Sequence, residues 1–389
     1  MTSDPGGPRT ANERLHQAWE KRHPYNFVCL VECDAGVDIH SLDRAARTTL
    51  DEFGLGETVG LVRDTAELGE ESSFESHALR ELNTRVVGAV RVAILKRGDA
   101  RAARARIAVT YRHLFFDGTN STVFMRRMLL RACGHMPPKL ELGRLLRGRD
   151  WLMANGLWSL PGLLAALAWD ATRMRSVFAR GDGSESPEVE GRFLDHSPGL
   201  LARLRREGDR VGATINDVLL ARMARAAFAM DVDALRKGNL ALSMAVSLRS
   251  GLEPLHQGVC VAVAPVYLRR DDDLLRMVRK QTVRMKQRRS YMRSLIGIGI
   301  GSRLWRHPET GCRASNSYVP SMALTNMRIP AAAGDELVSR WRRIVSAGPV
   351  APLLVTAITH LDRLEIALSW RKGLFSERDL SLLICSLCD

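Results

Sequence analysis

Lysine is nearly missing: of the 57 basic residues only seven are lysine, so the positive charge is almost wholly arginine. Aromatic residues make up 6%, and no uninterrupted apolar run approaches the about 18 residues that cross a bilayer. The opening stretch MTSDPGGPRTANERL has no apolar core of the secretory type, and a cytoplasmic location is the expectation. Seven cysteines, odd in number and widely scattered, do not make a disulfide framework and fit a reducing compartment. Cys385 and Cys388 form a C-x-x-C with no second pair or histidine partner at zinc spacing, so no metal site is expected. The G-x-S-x-G elbow, the H-E-x-x-H helix and the Walker loop are also missing, which removes the familiar serine-hydrolase, zinc-protease and P-loop readings. Gly297 to Gly301 has glycine at every second position, but Ser302 stands where a dinucleotide loop needs its third glycine, and the segment reads as a turn.

What is present is a globular chain. Its 389 residues, 46% hydrophobic and 26% charged, are enough for about two domains of 150–200 residues. The formal charge of +14 favours acidic partners such as phosphates or an acidic carrier protein. Nucleic acid is not expected, because the arginines are spread and no helix-turn-helix, zinc-finger or RNP-like aromatic motif accompanies them. Residues 1–24 read as poorly ordered. Strands are predicted at Phe27 to Glu32, Val86 to Leu95 and Arg106 to Tyr111, with helices at Ile39 to Phe53 and Ser121 to Ala132. Trp151, Trp158 and Trp169 mark a helical stretch over 151–180 that reads as a buried or lid helix; membrane association is the less favoured alternative. The polar run Gly181 to Glu188 is the clearest linker, giving an N-terminal lobe over 25–180, a linker over 181–190 and a C-terminal lobe over 191–389. In the second half, Thr214 with Asp217 three residues on predicts a capped helix running to about Met230. Further strands are predicted at Ala241 to Leu248, Val259 to Leu268, Tyr318 to Asn326, Ile344 to Ser346, Leu353 to His360 and Arg363 to Trp370. Helices are predicted at Asp273 to Arg293 and Ser376 to Leu387. Both halves are α/β.

The chemistry concentrates in Tyr111-Arg112-His113-Leu114-Phe115-Phe116-Asp117-Gly118. A neutral imidazole near pH 7 takes a proton from an amine or alcohol as that group attacks a carbonyl. Such a base needs a fixed ring, and a turn closed by Asp117-Gly118 supplies one if Asp117 points away and anchors the loop. By itself H-x-x-x-D-G is common, and an inert loop histidine fits it too.

The motif has company. Asp38 to Ala45 and Glu81-Leu82-Asn83 with Val90 to Leu95 precede it, and Thr214 to Ala221, Met244 to Arg249 and Leu324 to Pro330 follow, all in one order, and with them the chain resembles the chloramphenicol acetyltransferase-like superfamily. That group includes condensation domains of nonribosomal peptide synthesis, the wax ester synthase and diacylglycerol acyltransferase group, and polyketide-associated acyltransferases. The resemblance implies two α/β sandwich lobes with an active-site tunnel between them. It implies His113 as general base or transition-state stabiliser, Asp117 as a structural partner of Arg249, and Gly118 as a point of close backbone approach. Thr325 and Asn326 would lie near the reacting carbonyl as oxyanion or substrate contacts, with Arg328 and Asn216 as further candidates for the same role. Residues alone leave Arg249 equally readable as a solvated charge, and Asn216 and Asp217 as capping groups rather than substrate contacts. Arg112 replaces the first histidine of H-H-x-x-x-D-G, and Arg328 stands near where the late segment often has a glycine.

By resemblance the chain is an acyltransferase that moves an acyl group from a coenzyme A or carrier-protein thioester to a small amine or alcohol, in secondary metabolism. It needs no cofactor beyond the phosphopantetheine thioester, acts as monomer or homodimer, and forms no covalent enzyme intermediate. The alternative is a non-catalytic relative that recruits a carrier protein or partner enzyme.

Overall fold

A computed structural model describes residues 10–21, 23–34, 37, 39–56, 71–95, 105–143, 150, 153, 160–175, 179–180, 188–230, 239–249, 255–256, 258–270, 273–304, 317–318, 322–348 and 351–389. The first half holds α1 (Ala11–Glu20), β1 (Asn26–Cys33), α2 (Ile39–Glu52), α3 (Glu71–Leu82), β2 (Val90–Leu95), β3 (Ala105–Arg112), α4 (Gly118–Ala132), β4 (Leu142–Gly143), α5 (Leu160–Arg175) and β5 (Ala179–Arg180). The second holds β6 (Val189–Leu194), α6 (Leu200–Asp209), α7 (Ile215–Ala229), β7 (Asn239–Ser247), β8 (Leu255–His256), β9 (Val261–Arg269), α8 (Leu274–Gln287), α9 (Arg293–Leu304), β10 (Ser317–Tyr318), β11 (Met322–Arg328), β12 (Val338–Val345), β13 (Leu353–His360), β14 (Arg363–Arg371) and α10 (Glu377–Cys388).

Two large sheets organise these elements. The first is four-stranded and antiparallel, in the order β12-β1-β3-β2. The second is six-stranded, β6-β14-β13-β11-β7-β9, with β11 parallel to both β13 and β7. β1 is buried on both sides, and its alternation shows why an almost unbroken apolar run was needed. Phe27, Cys29 and Val31 pack with Leu42, Phe124 and Met128 beneath α2 and α4; Val28 and Leu30 pack with Phe74, Ala78 and Phe193 on the opposite side. The second sheet packs with residues of α6, α7 and α10 in a separate core. Capping sets several helix starts: Thr214 with Asp217 opens α7, and Ser376 with Asp379 opens α10, each as a reciprocal capping box.

Several expectations change. Residues 11–20, read as poorly ordered, form α1, opened by a Thr10/Glu13 capping box. The glycine run at 297–301 lies inside α9 rather than in a turn; the bare Cα of Gly297 faces Leu167 of α5, whose Cδ1 would lie 3.7 Å from an added Cβ. The short strand at 344–346 is the end of an eight-residue strand, β12, which pairs with β1 from Phe27↔Val345 to Cys33↔Val338. A segment of the second half thus completes the sheet of the first. Helix α3, which the sequence reading passed over, buries Phe74, Ala78 and Leu82 at four-residue spacing. Of the linker at 181–190, residues 181–187 lie outside the described residues, as do Trp151 and Trp158. Trp169 on α5 is 60% exposed, so this part of the expected buried stripe faces outward. Among the described residues no helix is long and apolar enough to cross a membrane.

Candidate active site

The motif sits where β3 gives way to α4. Arg112 closes the strand by donating its amide to the Ala89 carbonyl (3.1 Å), and the His113 amide bonds the Tyr25 carbonyl (3.1 Å). The amides of Phe115 and Phe116 both turn back to the Arg112 carbonyl, at 3.1 and 3.3 Å. Leu114 and Phe116 are buried beneath this turn, which leaves the loop little freedom.

Asp117 then starts the helix. Its Oδ1 accepts the amides of Thr119 and Asn120 at 3.0 and 3.1 Å, an N-cap that brings the helix start three residues ahead of the expected Ser121. Its Oδ2 accepts from the Arg249 guanidinium and from the Cys260 amide (2.8 Å). Arg249 also donates to the Gly258 carbonyl (2.6 Å), which takes a second bond from Asn120 Nδ2 (2.9 Å). Burial alone would raise the Asp117 pKa, but Arg249 and the amide donors hold it below the usual carboxylate range. Asp117 is therefore a charged bridge between the helix cap and the end of β7, with both oxygens fully engaged.

Aromatic walls surround the His113 ring. Tyr25 stacks on it with centroids 4.9 Å apart and planes 4° from parallel, while Phe27 and His16 meet it edge-on at 5.3 and 4.9 Å. Nδ1 of the His113 ring is buried. Burial lowers the His113 pKa; the carbonyl of His113 itself, Asp117 and the Phe116 carbonyl oppose the shift, and Arg343 adds to it. The imidazole is neutral at pH 7, the state a proton acceptor requires.

Gly118 brings the second sheet against this loop. A Cβ there would lie 3.0 Å from Met327 Sδ and 3.1 Å from Arg343 Nη1. Met327 belongs to β11, beside Asn326, so the glycine sets the distance between that strand and α4. Arg343, on β12, donates Nε to Cys29 Sγ (3.0 Å) and Nη2 to the Ser121 and Thr122 hydroxyls (3.0 and 3.3 Å). Thr325 and Asn326 are half-buried opposite Thr356 and Ala357 of β13, and Arg328 is exposed at the strand's end. Among the described residues no hydrogen bond joins any of the three to His113. Asn216 donates to Met244 Sδ (3.1 Å) on the neighbouring β7. Asp217 caps α7 and accepts from Thr282 (2.7 Å).

Sequence reasoning missed His16, Tyr25, Met327 and Arg343. Only the T-x-x-E pattern of Thr10 and Glu13 could have pointed toward α1, and nothing local marks the others.

No family model and no curated protein sequence matches this chain. Solved structures do. The condensation domain of the monacolin K polyketide synthase MokA superposes with a TM-score of 0.68 at 12% identity, over 98% of this chain and 96% of that one. The first condensation domain of the CDA synthetase gives 0.65 at 17% identity, covering 98% and 96%. The epimerization domain from the third module of tyrocidine synthetase B gives 0.60 at 13% identity, covering 97% and 94%.

Proposed function

We propose that this chain, whose fold is the chloramphenicol acetyltransferase-like fold of condensation domains, is an acyltransferase acting on a thioester of coenzyme A or a carrier protein. His113 Nε2 takes the proton of an amine or alcohol as its nitrogen or oxygen adds to the thioester carbonyl carbon. The C–S bond then breaks, and the sulfur leaves as a thiol carrying the proton returned by the imidazolium. Thr325 and Asn326 are the candidate donors to the oxyanion between these steps. No group on the protein is acylated.

One observation carries this reading: a neutral, aromatic-walled imidazole on a loop whose far end is fixed by the fully satisfied Asp117–Arg249 pair. Support for the donor class comes from a structural neighbour, a starter condensation domain of rhizomide synthetase crystallised with C8-CoA, at a TM-score of 0.64 and 13% identity. The arginine excess suits a phosphate-bearing donor.

The test is free-thiol release from a panel of acyl-coenzyme A and acyl-carrier thioesters with pooled amines and alcohols. Wild type should release thiol only when acceptor is present, and His113→Ala should lose about 100- to 10,000-fold of that rate. No release with any donor, or release indifferent to His113, would favour a recruiting module over an enzyme.

A further inference from the structure

Helix α1 forms a wall of the His113 site. Its His16 is 6% exposed, and Nδ1 lies 3.0 Å from the His113 carbonyl oxygen. A carbonyl can only accept, so His16 carries its proton on Nδ1. The ring is neutral, because burial and the neighbouring His113 bring its pKa down to about 3. His16 in turn stacks on Trp19 (5.4 Å, 23°) and meets Tyr25 edge-on (5.2 Å), so its own ring is held from two sides.

Both ends of α1 are tied to the motif. At its C-terminal end, Glu20 receives the Arg112 guanidinium, Nη2 at 2.7 Å and Nε at 3.2 Å from Oε2. Arg112 is the residue directly before His113, in the position where the resembling motif carries its first histidine. Near the N-terminal end, Asn12 Nδ2 donates to the Val259 carbonyl (3.3 Å), one residue before the Cys260 amide that reaches Asp117. The helix thus spans from the residue preceding His113 to the segment that fixes Asp117.

We propose that His16 is a positioning residue for His113, and that the Arg112–Glu20 pair is the latch holding it there. His16 fills one lone pair of the His113 carbonyl and so fixes the peptide that follows the ring. Its edge contact, with Tyr25 against the ring's face, restricts rotation of the imidazole. A base held in one orientation delivers its nitrogen to the acceptor, and loss of that orientation lowers turnover more than binding. The proposal rests on His113 being the base of the acyl transfer.

The test uses the full chain with 15N-labelled histidine, in wild type, His16→Phe, His16→Asn, Arg112→Glu, Glu20→Arg and the Arg112→Glu/Glu20→Arg pair. Long-range 1H–15N spectra, with His113→Ala for assignment, should show His113 in one sharp neutral tautomer in wild type. His16→Phe should broaden or shift that signal and lower kcat about 10- to 100-fold with KM nearly unchanged. His16→Asn, which keeps a donor for the carbonyl, should recover most of both, and the charge-swapped pair should recover what either single swap loses. An unchanged His113 signal and kcat in His16→Phe would overturn the proposal. So would equal loss in His16→Phe and His16→Asn, since that makes the residue packing alone. If wild type transfers no acyl group, the functional reading fails by itself, and the tautomer spectra still decide whether His16 fixes His113.

Discussion

The loop that carries His113 is held at each end by an arginine and a carboxylate, and the two pairs are built differently. Asp117 and Arg249 have side chains 1% and 6% exposed, and each Asp117 oxygen takes two donors, among them three backbone amides. Glu20 and Arg112 are 12% and 15% exposed and join a helix to a strand of the same half. The first pair links the two halves of the chain through an environment that tolerates no missing partner. The second holds an orientation with less of its charge removed from water. Damage to the first should therefore appear in stability, and damage to the second in turnover.

Arg249→Met breaks the comparison most sharply. It leaves the Asp117 carboxylate buried without its cation, and should cost about 3–5 kcal/mol of unfolding free energy, read as a lower urea midpoint at unchanged slope. A loss below about 1 kcal/mol would put this pair in the class of solvated surface pairs.

Acid should weaken the wall next to the first pair before it weakens the pair. The pKa of His16 is 6.5 unfolded and about 3 folded, so the unfolded state binds more protons between these values. Its contribution is complete above pH 6.5 and declines below it, by about 2 kcal/mol at pH 5; His113, also lowered, acts in the same direction. Asp117 has the opposite chemistry: a depressed carboxylate keeps its contribution above the unfolded value of 3.8 and loses it only at lower pH. Urea melts at pH 7 and pH 5 should show the decline in wild type and a smaller one in His16→Phe.

Gly118→Ala probes the approach of β11 to the loop. The added methyl meets the Met327 thioether and the Arg343 guanidinium, and should cost about 1–2 kcal/mol. With Met327→Ala added, the combined loss should fall short of the sum of the two single losses, since the two side chains share one contact. The smallest effect belongs to a surface pair far from the motif. Arg205 and Asp362, with side chains 46% and 82% exposed, lie 3.0 Å apart, and Arg205→Ala should move the midpoint by less than about 0.5 kcal/mol.

How much of this was legible follows from where the information resides. β13 is legible because Leu353–His360 is one run rich in β-branched residues, buried throughout, closed by a turn with Leu361 and Asp362 at positive φ. The capping box of α7 is legible as a local pattern; that of α10, with the same three-residue spacing from Ser376 to Asp379, comes from the structure. β12 is not legible, because Arg340, Arg342 and Arg343 interrupt its apolar alternation; Arg340 bonds Glu365, Arg342 lies over the Phe193 ring and bonds Glu75, and Arg343 is buried beside Cys29. These partners are distant in sequence, so nothing nearby announces a strand. The same holds at the site. His113 and Asp117 share a short motif and could be read from it, whereas His16 lies on a helix with few apolar residues, whose Asn12, His16 and Glu20 find their partners about 90 to 250 positions away. Tyr25 meets His113 only because β1 and β3 pair in the register Asn26↔Arg112.

The most direct measurement is a single turnover with the full chain in excess over a thioester carrying a radiolabelled acyl group, followed on both product and protein. In wild type, label should pass to the amine or alcohol with none held on the protein at any time, and His113→Ala should leave it on the thioester. Label accumulating on the protein, or undiminished product from His113→Ala, would contradict His113 as the base of a direct transfer.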